Sequence, residues 1–156
     1  MREDWQIVKL AEICALDKSR HSNGDMPYVG MEDIKSHTGE FLGDLAPKSV
    51  GRATFRFTSK HLLYGRLRPY LNKVMLPDFA GHCSSEIFPI ECSERILRSY
   101  LFYWFTSQPV VNLINETCTG ARMPRANVKE VLNFIFPLPP LPEQERIVSI
   151  LDKAFE

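Results

Sequence analysis

Between Leu45 and Pro77 the chain carries Lys48, Arg52, Arg56, Lys60, Arg66, Arg68 and Lys73, and no aspartate or glutamate. The densest part is Leu62-Leu-Tyr-Gly-Arg-Leu-Arg-Pro-Tyr-Leu-Asn-Lys-Val74. Alternation along a strand sends Leu63, Gly65 and Leu67 to one side and Tyr64, Arg66 and Arg68 to the other. Pro69 breaks the ladder and leaves Tyr70, Asn72 and Lys73 at a loop edge. Arginine forks onto guanine or phosphate, asparagine pairs with adenine, and tyrosine donates to phosphate or stacks on a base. These residue types, with Arg56 and Lys60 just before them, suit nucleic acid. Which of them would meet bases is not set by spacing. The competing reading is a solvated strand face whose arginine stems cover the sheet.

A second candidate is Thr119-Gly-Ala-Arg-Met-Pro-Arg125, where Arg122 and Arg125 stand in a loop with Gly120 and Pro124. Glycine lets the backbone approach a phosphate closely. Equally, Gly120 ends a helix and the arginines are ordinary surface charge.

The net charge is zero, but it is unevenly spread. Residues 1–44 hold nine acids and five bases, and residues 78–156 hold ten acids and seven bases. The seven bases between them therefore make a local positive field hidden by the total. Such a protein can dock one face on DNA.

Catalytic chemistry finds no site. Base methylation calls for a Gly-rich cofactor loop and an N/D-P-P-Y or P-C loop, and neither motif is present. Asp33-Ile34-Lys35 lacks a suitable Pro-Asp before it, and Pro77-Asp78 lacks a following E-x-K. Ser84-Ser85 near His82 has no G-x-S-x-G elbow. The four cysteines form no C-x-x-C pair, and the four histidines show no ligand spacing, so no metal or cofactor is expected. With no apolar run of membrane length and no apolar core behind the first charged residues, a cytoplasmic protein with reduced thiols is expected.

The elements that must position these residues read as an α+β domain, with an irregular mixed sheet and peripheral helices. Strands are predicted at 27–31, 53–57, 61–67, 73–76, 81–90 and 132–136, with a polar loop at 15–25 turning on Asn23-Gly24. Leu97, Tyr100, Leu101, Trp104 and Phe105 share one helical face. Further helices are expected over 110–118 and, capped by Asn127, up to Val131. Residues 1–141 then form one domain, and a last helix runs from 142 to 156.

The junction between those two parts is distinctive. Four of the six residues from Pro137 to Pro142 are proline, followed at once by Glu143-Gln-Glu-Arg-Ile-Val148. Prolines should end the preceding strand, and Pro142 fits the first turn of a helix, where its missing N–H costs nothing. Glu143 and Glu145 complement the positive end of the helix dipole. Ile147, Ile150, Leu151 and Phe155 make an apolar stripe suited to a partner helix.

This junction resembles that in the specificity subunits of type I restriction–modification systems, where a target recognition domain passes into a spacer helix. Trp5-x-x-Val8-x-Leu10-x-Glu12-Ile13, Pro27-Tyr28-Val29 with Asp33-Ile34, the 63–74 segment, Ser84-Ser85-Glu86-Ile87 and the 120–125 loop follow in that family's order. The resemblance implies a non-catalytic module that reads one half of a split DNA target. Modification and restriction subunits would supply the chemistry. Ala11 and Ser59-Lys60-His61 depart from the family pattern. Full specificity subunits resemble two such domains, and this sequence matches one; it fits a fragment, the product of a truncated gene, or a half-subunit that a second copy joined through the last helix would complete. The alternative is a scaffold domain whose basic block reads no sequence.

Overall fold

The computed structural model describes residues 4–21, 24–120 and 122–156. In chain order the elements are β1 (Gln6–Lys9), β2 (Cys14–Leu16), β3 (Arg20–His21), β4 (Tyr28–Val29), β5 (Thr54–Phe57), β6 (Leu62–Gly65), β7 (Val74–Met75), β8 (Gly81–Cys83), β9 (Ile87–Cys92), α1 (Arg98–Thr106), α2 (Gln108–Glu116), α3 (Val128–Val131), β10 (Ile135–Leu138) and α4 (Leu141–Ala154). The class is α+β. The strands form three sheets ordered β2-β9-β6-β7, β3-β5-β8-β4 and β1-β10, antiparallel except where β4 runs parallel to β8.

The sheet carrying β6 is buried on both sides, so the expected alternation fails there. Leu62, Leu63, Tyr64 and Gly65 are all buried, and the Tyr64 ring lies 4.8 Å from that of Phe105 in α1. Tyr64 thus belongs to the core instead of sharing a wet face with Arg66 and Arg68. Gly65 is required by close approach, since a Cβ there would stand 2.9 Å from the Lys73 carbonyl oxygen.

Other expectations shift for local reasons. The 15–25 loop contributes two short strands, β2 and β3, because the partners β9 and β5 complete their ladders. Its Asn23 lies outside the described residues. The expected 81–90 strand is two strands separated by a turn at Ser84, and β9 passes through Pro89 to Cys92. Pro137 likewise lies inside β10, opposite Ile7, in a two-stranded sheet whose outer edge needs no N–H donor. The strand therefore runs into the proline segment instead of ending before it.

Helix α1 buries Leu101 and Phe105, as its apolar spacing predicts. α4 begins at Leu141, with Pro140 as its N-cap and Pro142 in the first turn. Gln144 fixes the direction in which it leaves. This fully buried side chain accepts from the Leu97 N–H at 2.9 Å and donates to the Arg95 and Pro139 carbonyls at 3.0 and 2.9 Å. α4 packs along α1, where the Tyr103 hydroxyl donates to Asp152 at 2.5 Å. Ile147 and Leu151 are half-buried, whereas Ile150 is 53% and Phe155 74% exposed.

All four cysteines are free thiols. Burial, and the Cys92 thiol opposite, push Cys14 up to about 12. Among the described residues no helix is long and apolar enough to cross a membrane.

Candidate nucleic-acid interface

The two basic segments singled out by residue type meet in the fold. The Arg68 N–H donates to the Pro124 carbonyl at 2.7 Å, the Ala126 N–H donates to the Arg66 carbonyl at 2.9 Å, and Leu67 and Arg125 form an antiparallel bridge. The second segment is itself closed into a loop, since Thr119 and Arg125 exchange both backbone bonds. Gly120 sits inside that loop at φ +90°, a conformation that side chains rarely adopt.

Glu86 organises the side chains at this meeting. Its carboxylate accepts from Arg125 Nε at 2.9 and 3.0 Å, and its backbone carbonyl accepts from the Arg66 N–H at 2.9 Å. Arg66 Nε is 3.3 Å from the same carboxylate, an ion pair without hydrogen-bond alignment, so that buried nitrogen has no acceptor. Burial alone would raise Glu86. The bond from Arg125 and the charges of Arg66 and Arg125 outweigh it and hold the carboxyl below its ordinary value. Glu86 is therefore ionised at neutral pH and neutralises only part of the charge.

Phe88 supplies the floor. Its ring lies 4.8 Å below the Arg66 guanidinium and 5.0 Å below the Lys18 ammonium, distances at which a cation is held by the ring face. Arg66, Phe88 and Arg125, with Lys18, Asn127 and Lys129, line an open cleft of about 290 Å³. Four cations around one carboxylate and one aromatic floor make a surface for an anionic, planar-based polymer.

Arg68 flanks this cleft in a left-handed conformation, φ +49°, directly before Pro69. For a residue other than glycine this costs about 1–3 kcal/mol. The strained bend starts a 3-10 turn at Pro69–Leu71 and lifts Tyr70 to 50% exposure. Arg122 is exposed near the tip of the 119–125 loop.

The remaining expected residues lie elsewhere or face inward. Asn72 is 5% exposed, and its Nδ2 donates to the Thr106 carbonyl and meets His37 Nδ1, each at 3.0 Å. Its left-handed backbone, φ +53°, closes the 3-10 turn, so the residue anchors the turn from within. Lys73 spends its ammonium on the Met31 carbonyl at 2.8 Å. Arg56 is exposed on β5, in a different sheet, and Lys60 is exposed in the turn before β6. Lys18, Glu86, Phe88 and Lys129 were not singled out by the sequence. Only the position of Glu86 within the Ser84–Ile87 motif hinted at a role.

The matches to known proteins cover this whole arrangement. A family model described as the type I restriction modification DNA specificity domain matches residues 2–156. The chain belongs to that family. It is 27% identical over 157 residues to the type I restriction enzyme EcoDI specificity subunit of Escherichia coli, covering 97% of this chain and 35% of that protein. The crystal structure of the HsdS subunit from Thermoanaerobacter tengcongensis is similar with a TM-score of 0.82 and 25% identity, over 99% of this chain and 42% of that one. A chain from a structure of the type I R-M system, titled for its complex assembly and conformational transition, matches with the same TM-score and 27% identity, over 99% and 43%. This specificity-domain chain therefore spans well under half the length of these relatives. The residues of the Phe88 cleft lie within the matched segment of this chain.

Proposed function

We propose that this chain is a target recognition domain that reads one half of a bipartite double-stranded DNA site and performs no chemistry itself. The observation that carries the reading is the convergence of Arg66 and Arg125 on one cleft, from two segments joined by backbone pairing, with Arg68 in the same paired backbone. Arg66 and Arg125, held at fixed angles by Glu86 and Phe88, are suited to base edges. Arg68, Tyr70, Arg122, Lys18 and Lys129 are suited to the flanking phosphates. Gly120 keeps the loop close to the backbone of the duplex. Arg56 and Lys60 would extend the positive field, whereas Asn72 and Lys73 support the turn and are left out of the contact surface.

Residues 1–141 would form this recognition domain, and 142–156 the start of a spacer helix. Through that helix it would join modification and restriction subunits in the cytoplasm, where methyl transfer and cleavage belong to those partners. The exposed Ile150 and Phe155 are the part of the stripe left for a partner helix, either a second copy or the rest of a longer chain.

Duplex affinity measured against salt tests the reading. About five phosphate contacts predict a loss of roughly 10²–10³ in affinity between 50 and 200 mM salt. A scaffold domain would bind duplex weakly at every salt concentration, and that result would remove the reading.

A further inference from the structure

A second cleft lies on the other four-stranded sheet. Register places His21 opposite Thr54, Arg56 opposite His82, and Tyr28 beside His82, so these side chains share one face of β3-β5-β8-β4. The opposite face carries Phe55, Phe57, Val29 and Cys83 into the core. One face is thus apolar and the other is a layer of histidine, threonine, tyrosine and arginine.

The segment 47–53 crosses this polar face as a strap. His82 Nε2 donates to the Lys48 carbonyl at 2.7 Å, which leaves Nδ1 to accept from the Thr54 hydroxyl at 2.8 Å. The Lys48 ammonium stands 5.7 Å over the Tyr28 ring. Between strap and sheet is a cleft of about 400 Å³ lined by His21, Ser49, Val50, Arg52, Thr54 and His82. Arg20 also borders it, but its register opposite Phe55 starts its side chain from the apolar face.

Three observations give the cleft a chemistry. Arg52 has no carboxylate partner among the described residues; its one bond reaches the Tyr28 hydroxyl at 3.5 Å. The His21 ring lies 4.4 Å from that of His82, tilted by 34°, and is almost wholly buried, yet neither of its nitrogens has a hydrogen-bond partner among the described residues. The backbone N–H groups of Ser49 and Val50 meet no protein acceptor among the described residues. An arginine without a counter-ion, a seryl hydroxyl and two unpaired amides all offer donors. Asp25, 3.5 Å from His21 Nε2 and mostly exposed, is the one carboxylate that approaches the group.

We propose that this cleft is a second anion site, built to hold a backbone phosphodiester of the DNA with Arg52 and the amides of Ser49 and Val50. The proposal rests on the DNA-reading function and adds a contact away from the Phe88 cleft. A phosphate held here positions the domain on the duplex without choosing a base. Bases would be read at Arg66 and Arg125, and register would be set from both clefts.

The test uses the full chain and an Arg52→Ala variant, with Arg52→Glu as a second variant. Arg52 is exposed, so thermal melting should match the parent. The expected result is a salt-dependence slope shallower by about 0.9, for the one phosphate lost, with the preferred sequence unchanged. An unchanged slope and affinity in a parent that does bind duplex would overturn the cleft and spare the DNA reading. No salt-dependent binding by the parent would overturn both. Imidazole proton shifts of His21 and His82 identify the source of the anion. Shifts on adding duplex support the proposal, and shifts with inorganic phosphate but not with duplex at equal ionic strength contradict it.

Discussion

Arg125 reaches Glu86 through Nε alone, 2.9 Å from one carboxylate oxygen and 3.0 Å from the other. The terminal nitrogens of the same guanidinium have no partner among the described residues, so the arginine is fixed in angle and still has donors to offer. Glu86→Gln keeps the shape and removes the charge. Duplex affinity at low salt should rise severalfold, while discrimination between matched and mismatched sites falls by about tenfold, the value of 1.4 kcal/mol of positioning. Paired binding titrations on a matched and a randomised duplex check this. A variant that keeps full discrimination would remove the positioning role of Glu86.

The same carboxyl contributes to acid sensitivity. Its pKa is depressed in the folded chain, so the unfolded chain binds the proton first as pH falls. The stabilisation is present above about pH 4.5, the ordinary value, and is lost as pH drops toward the depressed one. Parent and Glu86→Gln should therefore differ in urea midpoint at pH 6 and converge near pH 3.

His82 adds a second pH dependence in a higher window. Burial holds its pKa below the ordinary 6.5, with the neighbouring His21 charge acting in the same direction and the bond to Lys48 and the Asp25 charge opposing. The unfolded chain then takes up the proton first, so stability declines as pH falls below about 6.5. His82→Gln should flatten the stability profile between pH 6.5 and 5. A profile identical to the parent's would mean that His82 is not held neutral.

Gln144 decides where the last helix points. Gln144→Leu fills the same space but leaves the Leu97 N–H and the Arg95 and Pro139 carbonyls without their partner. The expected loss is about 2–4 kcal/mol of unfolding free energy, measured by urea denaturation. The loss should be far smaller for Glu145→Leu, one position along and exposed.

Residue type singled out Arg66 and Arg125, which the fold brings together, but spacing did not show how they meet. Arg66 and Arg125 could each be picked out as polar-contact residues, but nothing in their spacing says that one bonds the other's neighbours. That pairing depends on the 3-10 turn and on Gly120. Glu86 escaped notice because an acid in a basic site looks like a neutralising surface charge until its two arginines are seen. Tyr64 and Asn72 were misplaced for definite reasons. Alternation assumes one wet face, and β6 has none. An asparagine near a proline looks like a base reader until its left-handed backbone and buried amide assign it to a turn. The helices were legible because apolar spacing acts locally, and so was the start of α4 around Pro142, whereas Pro137 stayed inside β10 because its edge needs no donor.

Sequence reading by the Phe88 cleft is tested by selection from a randomised duplex library. The chain, assembled with modification subunits, and its Arg66→Ala, Arg125→Ala variant would be selected side by side. The parent should enrich a short fixed motif, and the variant the same motif with one or two positions relaxed. A motif unchanged in the variant, or none from a formed complex, would contradict sequence reading by the cleft.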